Sequence, residues 1–139
     1  MRSKFWTAVL VALLIGLGLH SLIYNQLLAG AIEASPSVRM FMEGPWPKHV
    51  IAEIIFALCF VWVYARGLER GKPALGHGLR FGFIVGLLYH GSWGLIMATM
   101  VPTTETFVVG TIALGIAREM IMGMAVGITM GLPAEAGPA

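Results

Sequence analysis

Residues 78–94 read GLRFGFIVGLLYHGSWG, and residues 115–131 read GIAREMIMGMAVGITMG. In the first stretch Gly78, Gly82, Gly86, His90 and Gly94 recur every fourth residue. In the second, Gly115, Glu119, Gly123, Gly127 and Gly131 do the same. Residues four apart share one face of an α-helix. Apart from Arg80 and Arg118 each stretch is otherwise mainly apolar, so each reads as a helix with a stripe of small residues. In a bilayer, where no hydrophobic effect drives helices together, such stripes let backbones approach closely. The two stretches are joined by Pro102-Thr103-Thr104-Glu105, a tight connection in which either threonine can cap the second helix. They therefore read as an antiparallel glycine-zipper hairpin. Pairing the helices about Thr104 and Glu105 sets Gly94 against Gly115, His90 against Glu119, Gly86 against Gly123, Gly82 against Gly127 and Gly78 against Gly131. On this reading one polar pair sits inside a seam of glycine.

The first half of the chain carries a weaker version. Ala8, Ala12, Gly16 and His20 stand at four-residue spacing, as do Glu53, Ala57, Val61 and Ala65. Antiparallel pairing opposes His20 to Glu53, Gly16 to Ala57, Ala12 to Val61 and Ala8 to Ala65. Each half thus reads Gly-x-x-x-His on its outgoing helix and Glu-x-x-x-small on its return. The expectation is a pair of pseudo-repeated hairpins related by an axis along the membrane normal.

Composition sets the surroundings. Of 139 residues, 58% are hydrophobic and 12% are charged, against about 25% charged in an ordinary soluble domain. Mean hydropathy is +0.83. A soluble fold of this size has too few charges here to cover its surface. A disordered chain and a nucleic-acid binder are excluded on the same ground. The lipid bilayer is the expected partner. The length fits a single transmembrane domain, residues 1–139, with spans near 5–29, 48–67, 77–100 and 106–131. The fold expected is an all-α four-helix bundle. Pro47 suits the first turn of the second helix, Gly71-Lys72-Pro73 reads as a turn, and the tail from Pro133 to Ala139 reads as frayed.

Lysine and arginine placement gives an orientation. Arg2, Lys4, Arg66, Arg70, Lys72 and Arg80 lie on one side, and Arg39 and Lys48 on the other. Both termini then face the cytoplasm, with residues 31–47 and 102–105 outside. A bacterial inner membrane is the expected location. Arg2, Lys4 and Ala29-Gly30-Ala31 imitate a signal peptide, but His20, Tyr24, Asn25 and Gln26 interrupt the apolar run, so it is read as an uncleaved helix. The loop from Ala31 to Pro47 is amphipathic and suits either a cavity cap or a surface connection.

Ionisable residues at membrane depth call for named partners. Arg118 lies about 18 Å along its helix from Thr106. Glu119 follows it but points about 100° away, so Glu53 is the expected partner, with Tyr24 or Asn25 completing the shell. The candidate ligand- or ion-binding residues are His20, Glu53, His90, Arg118, Glu119, Tyr89 and Trp93. Arg118 with Trp93 and Tyr89 suits an anion or small amphiphile, while the carboxylates suit a proton or cation. Bundle metal sites use a Glu-x-x-His spacing, which this chain lacks, so no metal ligand is assigned. His49 and His77 read as interfacial residues without a special role. Cys59, the single cysteine, reads as a small core residue. No phosphate loop, nucleophile elbow, HExxH or dinucleotide fingerprint is present, so no catalytic residue is assigned and no cofactor is named. The leading reading is a small non-enzymatic membrane protein that binds or conducts a small ligand, ion or proton. The alternative is an accessory subunit of a homo- or hetero-oligomeric complex whose polar cluster only fixes packing. A metal-dependent membrane enzyme ranks third.

Overall fold

The computed structural model of the protein describes residues 2–67 and 73–131. The expected turn residues Gly71 and Lys72, the charge at Arg70 and the tail from Pro133 lie outside them. The described residues are helical, with seven α-helices in chain order: α1 Arg2–Leu22, α2 Ala29–Glu33, α3 Pro36–Met42, α4 Trp46–Arg66, α5 Ala74–Gly86, α6 Ser92–Met100 and α7 Glu105–Met130. A π-helical turn, Ile23–Leu27, extends α1, and a second, Leu87–Gly91, joins α5 to α6 into one rod. Four rods are long and apolar enough to cross a membrane: Ser3–Leu27, Trp46–Arg66, Ala74–Met100 and Glu105–Met130. The chain is an integral membrane protein. The spans begin one to three residues earlier than the sequence pattern alone suggests, within the usual uncertainty of helix ends.

Local chemistry sets several of these ends. Pro47 occupies the first turn of α4, where its missing N–H costs nothing. Of the two candidate threonines, Thr104 caps α7, its Oγ1 accepting from Phe107 N at 3.2 Å. Gly131 ends α7 with φ of 69° and ψ of 176°, a region in practice reserved for glycine.

The rods form a four-sided bundle. α1 packs against α4 and α7, and α7 packs most closely against α5. α4 and α5 meet through rings instead of backbone. Phe56 faces Tyr89, Phe60 and Tyr64 face Phe81, and Tyr64 faces His77, with centroids 4.8–5.3 Å apart. One core cluster gathers Ala8, Ala12, Ala57, Phe60, Val61, Tyr64, Met122 and Val126. A second gathers Ile23, Leu28, Val38 and Phe107, and it pins α3 down through the buried Val38. Cys59 is exposed on the outer face of α4 instead of lying in the core.

The first hairpin adopts a register one turn away from the expected one, and the second departs by one turn near its loop and by two turns at its far end. A Cβ on Gly78 would strike the backbone carbonyl of Gly123. A Cβ on Gly82 would strike that of Glu119, and one on Gly86 would lie 3.2 Å from Glu119 Cβ. Gly115 faces the His90 ring, Gly94 faces Ile112, and Gly127 faces the Ala74 carbonyl and Tyr64. Gly131 does not meet Gly78; it lies near Lys4. The one-turn shift near the loop follows from where the chain turns. α6 ends at Met100 and α7 starts at Glu105, so the hairpin folds about Pro102 and Thr103, two residues before the assumed centre. In the first hairpin Gly16 faces Glu53, and His20 stacks on His49. There the long α2–α3 connection imposes no register, and Glu53 is held by Arg118 of α7 instead of by His20.

Candidate functional site

The site begins where α1, α4, α5–α6 and α7 leave a space toward the α2–α3 end of the bundle. Arg118 projects from the middle of α7, 13 residues after Glu105, or about 20 Å along a helix of roughly 39 Å. Its residue exposure is 4%, and that of Glu119 is 0%. Arg118 Nη2 donates to Glu53 Oε2 at 2.5 Å, and Nη1 donates to Glu119 Oε1 at 3.1 Å. Glu119 was expected to point away from Arg118. Instead the long guanidinium reaches round the helix and engages both carboxylates. Neither Tyr24 nor Asn25 bonds it: the Asn25 amide donates to Ser21 Oγ at 3.0 Å.

His90 Nε2 and Glu119 Oε1 lie 3.2 Å apart, both groups buried. This contact is the polar pair anticipated from the four-residue spacing, reached one turn further along the seam. Glycine at 115 makes it physically available, because a side chain there would occupy the imidazole's space. Gly16 does similar work on α1. A Cβ at that position would stand 2.8 Å from Glu53 Oε2 and 3.0 Å from Arg118 Nη2.

His49 is the residue that sequence reasoning passed over. It stands one turn before Glu53 on α4, and its Nε2 lies 3.9 Å from Glu53 Oε1. Its ring stacks on His20, with centroids 3.9 Å apart, and His20 also packs against Tyr24 at 4.5 Å. The signal was present as His49-x-x-x-Glu53, an i, i+4 pair on one helix face.

A cavity of about 950 Å³ reaches this cluster. Its inner wall includes His20, His49, Glu53, His90 and Arg118. Tyr24, Phe56, Tyr89, Trp93 and Trp46 supply aromatic surface, and the α2–α3 connection forms part of the rim. All the sequence-predicted candidates except Glu119 line it; Glu119 lies behind Arg118. Both π-helical turns border the cavity, contributing Tyr24 and Asn25 from one and Tyr89 and His90 from the other. Such turns are enriched at functional sites, and nothing in the sequence pattern announced them.

The charges divide by depth. At the rim, Arg39 pairs with Glu43 at 3.1 Å, and Lys48 offsets Glu33 in the formal count. At the inner end, two carboxylates share one guanidinium. Three polar atoms there are buried without a hydrogen-bond partner among the described residues: His49 Nε2, Arg118 Nε and Glu119 Oε2. Burying unpaired polar atoms is costly. No protein-family model, curated protein or solved structure matches the chain, so the functional reading rests on this geometry.

Proposed function

We propose that the protein is a non-enzymatic membrane protein that takes up a small cation at the His/Glu/Arg cluster, through the cavity at the α2–α3 end of the bundle. The observation that carries this reading is the cavity's contact with a buried cluster holding two carboxylates for one guanidinium. In formal charges the inner cluster is one positive charge short. A net charge in a low-dielectric interior is expensive, and a bound cation removes it. An anion would add to the imbalance, which sets aside the anion reading of Arg118. The aromatic walls favour a cation as well, through the negative faces of the rings.

We further infer that both termini face the cytoplasm of a bacterial inner membrane and that the cavity opens outward. The excess of lysine and arginine on the side of the termini supports this orientation. The two halves are read as a pseudo-repeat. In each, a glycine of the outgoing helix faces the glutamate of the return helix, Gly16 with Glu53 and Gly86 with Glu119. The stripe of glycine between α5 and α7 is read as the zipper of the second half.

The test is thermal unfolding of the purified protein in detergent against potassium, magnesium, zinc and a range of pH. At least one cation should raise the midpoint of the unsubstituted protein. The same cation should have no effect on Arg118→Met combined with Glu53→Leu. A midpoint indifferent to every cation overturns the reading. It would favour a scaffold role, the simplest use of a cluster in which both Nη atoms of Arg118 already engage carboxylates on α4 and α7.

A further inference from the structure

We infer that His20, His49 and Glu53 form a binding site for a divalent first-row transition-metal ion of the zinc class, open to the cavity on its remaining side. This rests on the reading of the cluster as a cation site and names the ion and its ligands. One ligand atom from each residue can be chosen so that all three lie within 4.8 Å of one another. Metal–ligand bonds of ~2.0–2.2 Å at tetrahedral angles place ligand atoms roughly 3.3 Å apart, so modest ring rotations close the set. His49 and Glu53 are already 3.9 Å apart.

Four features go beyond proximity. The donor set, two imidazole nitrogens and one carboxylate oxygen, suits a borderline ion such as zinc and leaves a position for water or another ligand. His49 Nε2 is buried and has no hydrogen-bond partner among the described residues, so the nitrogen aimed at Glu53 has no other task. Arg118 Nη2 holds Glu53 Oε2 and leaves Oε1 turned toward His49, as outer partners commonly orient a ligating carboxylate. His20 and His49 come from different helices, α1 and α4, and their rings meet at 3.9 Å between centroids with planes tilted by 39°. Two imidazoles held this closely without an intervening acceptor are poorly placed for hydrogen bonding with each other and well placed to converge on an ion. A divalent ion takes the formal charge of Glu53, Glu119 and Arg118 from −1 to +1, and a hydroxide at the open coordination position would restore neutrality.

The experiment uses the full chain in detergent after chelator treatment. Zinc is titrated in competition with a chromophoric chelator, and cobalt is added separately as a visible probe of coordination. One ion should bind per chain, and cobalt should give the visible bands of a nitrogen- and oxygen-ligated site. His20→Gln and His49→Gln should each weaken zinc binding at least tenfold, while His77→Gln, a change at the opposite end of the bundle, should leave it unchanged. In the unsubstituted protein, zinc should slow carbethoxylation of His20 and His49 but not of His77, read by peptide mass spectrometry. This measurement needs no variant to fold. Absence of stoichiometric zinc, unchanged binding in His49→Gln, or equal loss in His77→Gln overturns the assignment. If zinc does not bind while another cation still stabilises the protein through Arg118 and Glu53, the metal site falls and the cation reading stands. If no cation acts, both fall.

Discussion

The α1–α4 and α5–α7 seams use the same three residue types and end in different states. In each, a glycine faces a glutamate and a histidine follows one turn later. In the second seam Gly115 faces that histidine, and His90 turns inward to reach Glu119 at 3.2 Å. In the first, His49 stands opposite, so His20 stacks against a ring and both imidazoles border the cavity. A closed polar pair and an open polar cluster thus differ chiefly in the residue facing the histidine. The seams also differ in what touches. Gly78, Gly82 and Gly123 bring backbone onto backbone, whereas Ala8, Ala12, Ala57 and Val61 fill the first seam with side chains. The two are joined by Arg118, which holds Glu53 of one and Glu119 of the other.

Breaking that joint should have the largest effect. Arg118→Met leaves Glu53 and Glu119 buried without their cation, a change of about 3–5 kcal/mol for a buried pair that loses one partner. Adding Glu53→Leu removes one of the stranded charges and should recover more than half of the loss. Reversible unfolding in mixed micelles reads both. A double variant no more stable than Arg118→Met alone would show that the guanidinium does not link the seams energetically.

The next effect separates the seams by what they pack. An alanine at 82 would place its Cβ against the Glu119 carbonyl and Met120 Cα, atoms that move only if the helices part. Overpacking of this kind costs about 1–3 kcal/mol. Ala12→Gly, which removes one methyl from the side-chain seam, should cost about 1 kcal/mol by loss of packing and gain of backbone freedom. Both are measured in the same unfolding assay. An unchanged Gly82→Ala protein would mean that α5 and α7 are not in backbone contact.

How far the sequence revealed these seams follows from the range of the forces involved. Four apolar rods, the Thr104 cap and the stripe of small residues are local patterns, so they could be read directly. The meeting of His90 with Glu119 and of Arg118 with Glu53 was also legible, because few charges lie at membrane depth and each needs a partner. Register was not legible, because a four-residue repeat matches itself after a shift of one turn. Only the loop centre at Pro102 and Thr103 chooses between the matches. His49 was missed because its role depends on His20 of another helix. The π-helical turns at Ile23–Leu27 and Leu87–Gly91 carry no side-chain pattern of their own, and the cavity is a product of how all four rods splay.

A smaller effect tests the closed pair. His90→Ala and Glu119→Gln, singly and together, form a double-mutant cycle. Side-chain hydrogen bonds between membrane helices average ~0.6 kcal/mol and reach ~1.7. The burial of both groups places the expected coupling in the upper half of that range. Additive losses would contradict direct coupling and would make the second seam as open as the first.

The smallest effect on stability is expected at Gly16, where it is also most informative. Gly16 and Gly82 both face a glutamate, and in both an added Cβ is too close. At Gly82 the obstacle is backbone. At Gly16 it is Glu53 Oε2 at 2.8 Å and Arg118 Nη2 at 3.0 Å, the far ends of flexible side chains beside an open cavity. Gly16→Ala should therefore cost less than about 1 kcal/mol, because the ion pair shifts by a few tenths of an ångström into free space instead of forcing two helices apart. The same shift turns Glu53 relative to His49, so cation-induced stabilisation should fall several-fold while the fold persists. Unfolding midpoints with and without the cation read both quantities on one sample. Equal destabilisation by Gly16→Ala and Gly82→Ala would mean that the two seams are packed alike and that the first is not the open one.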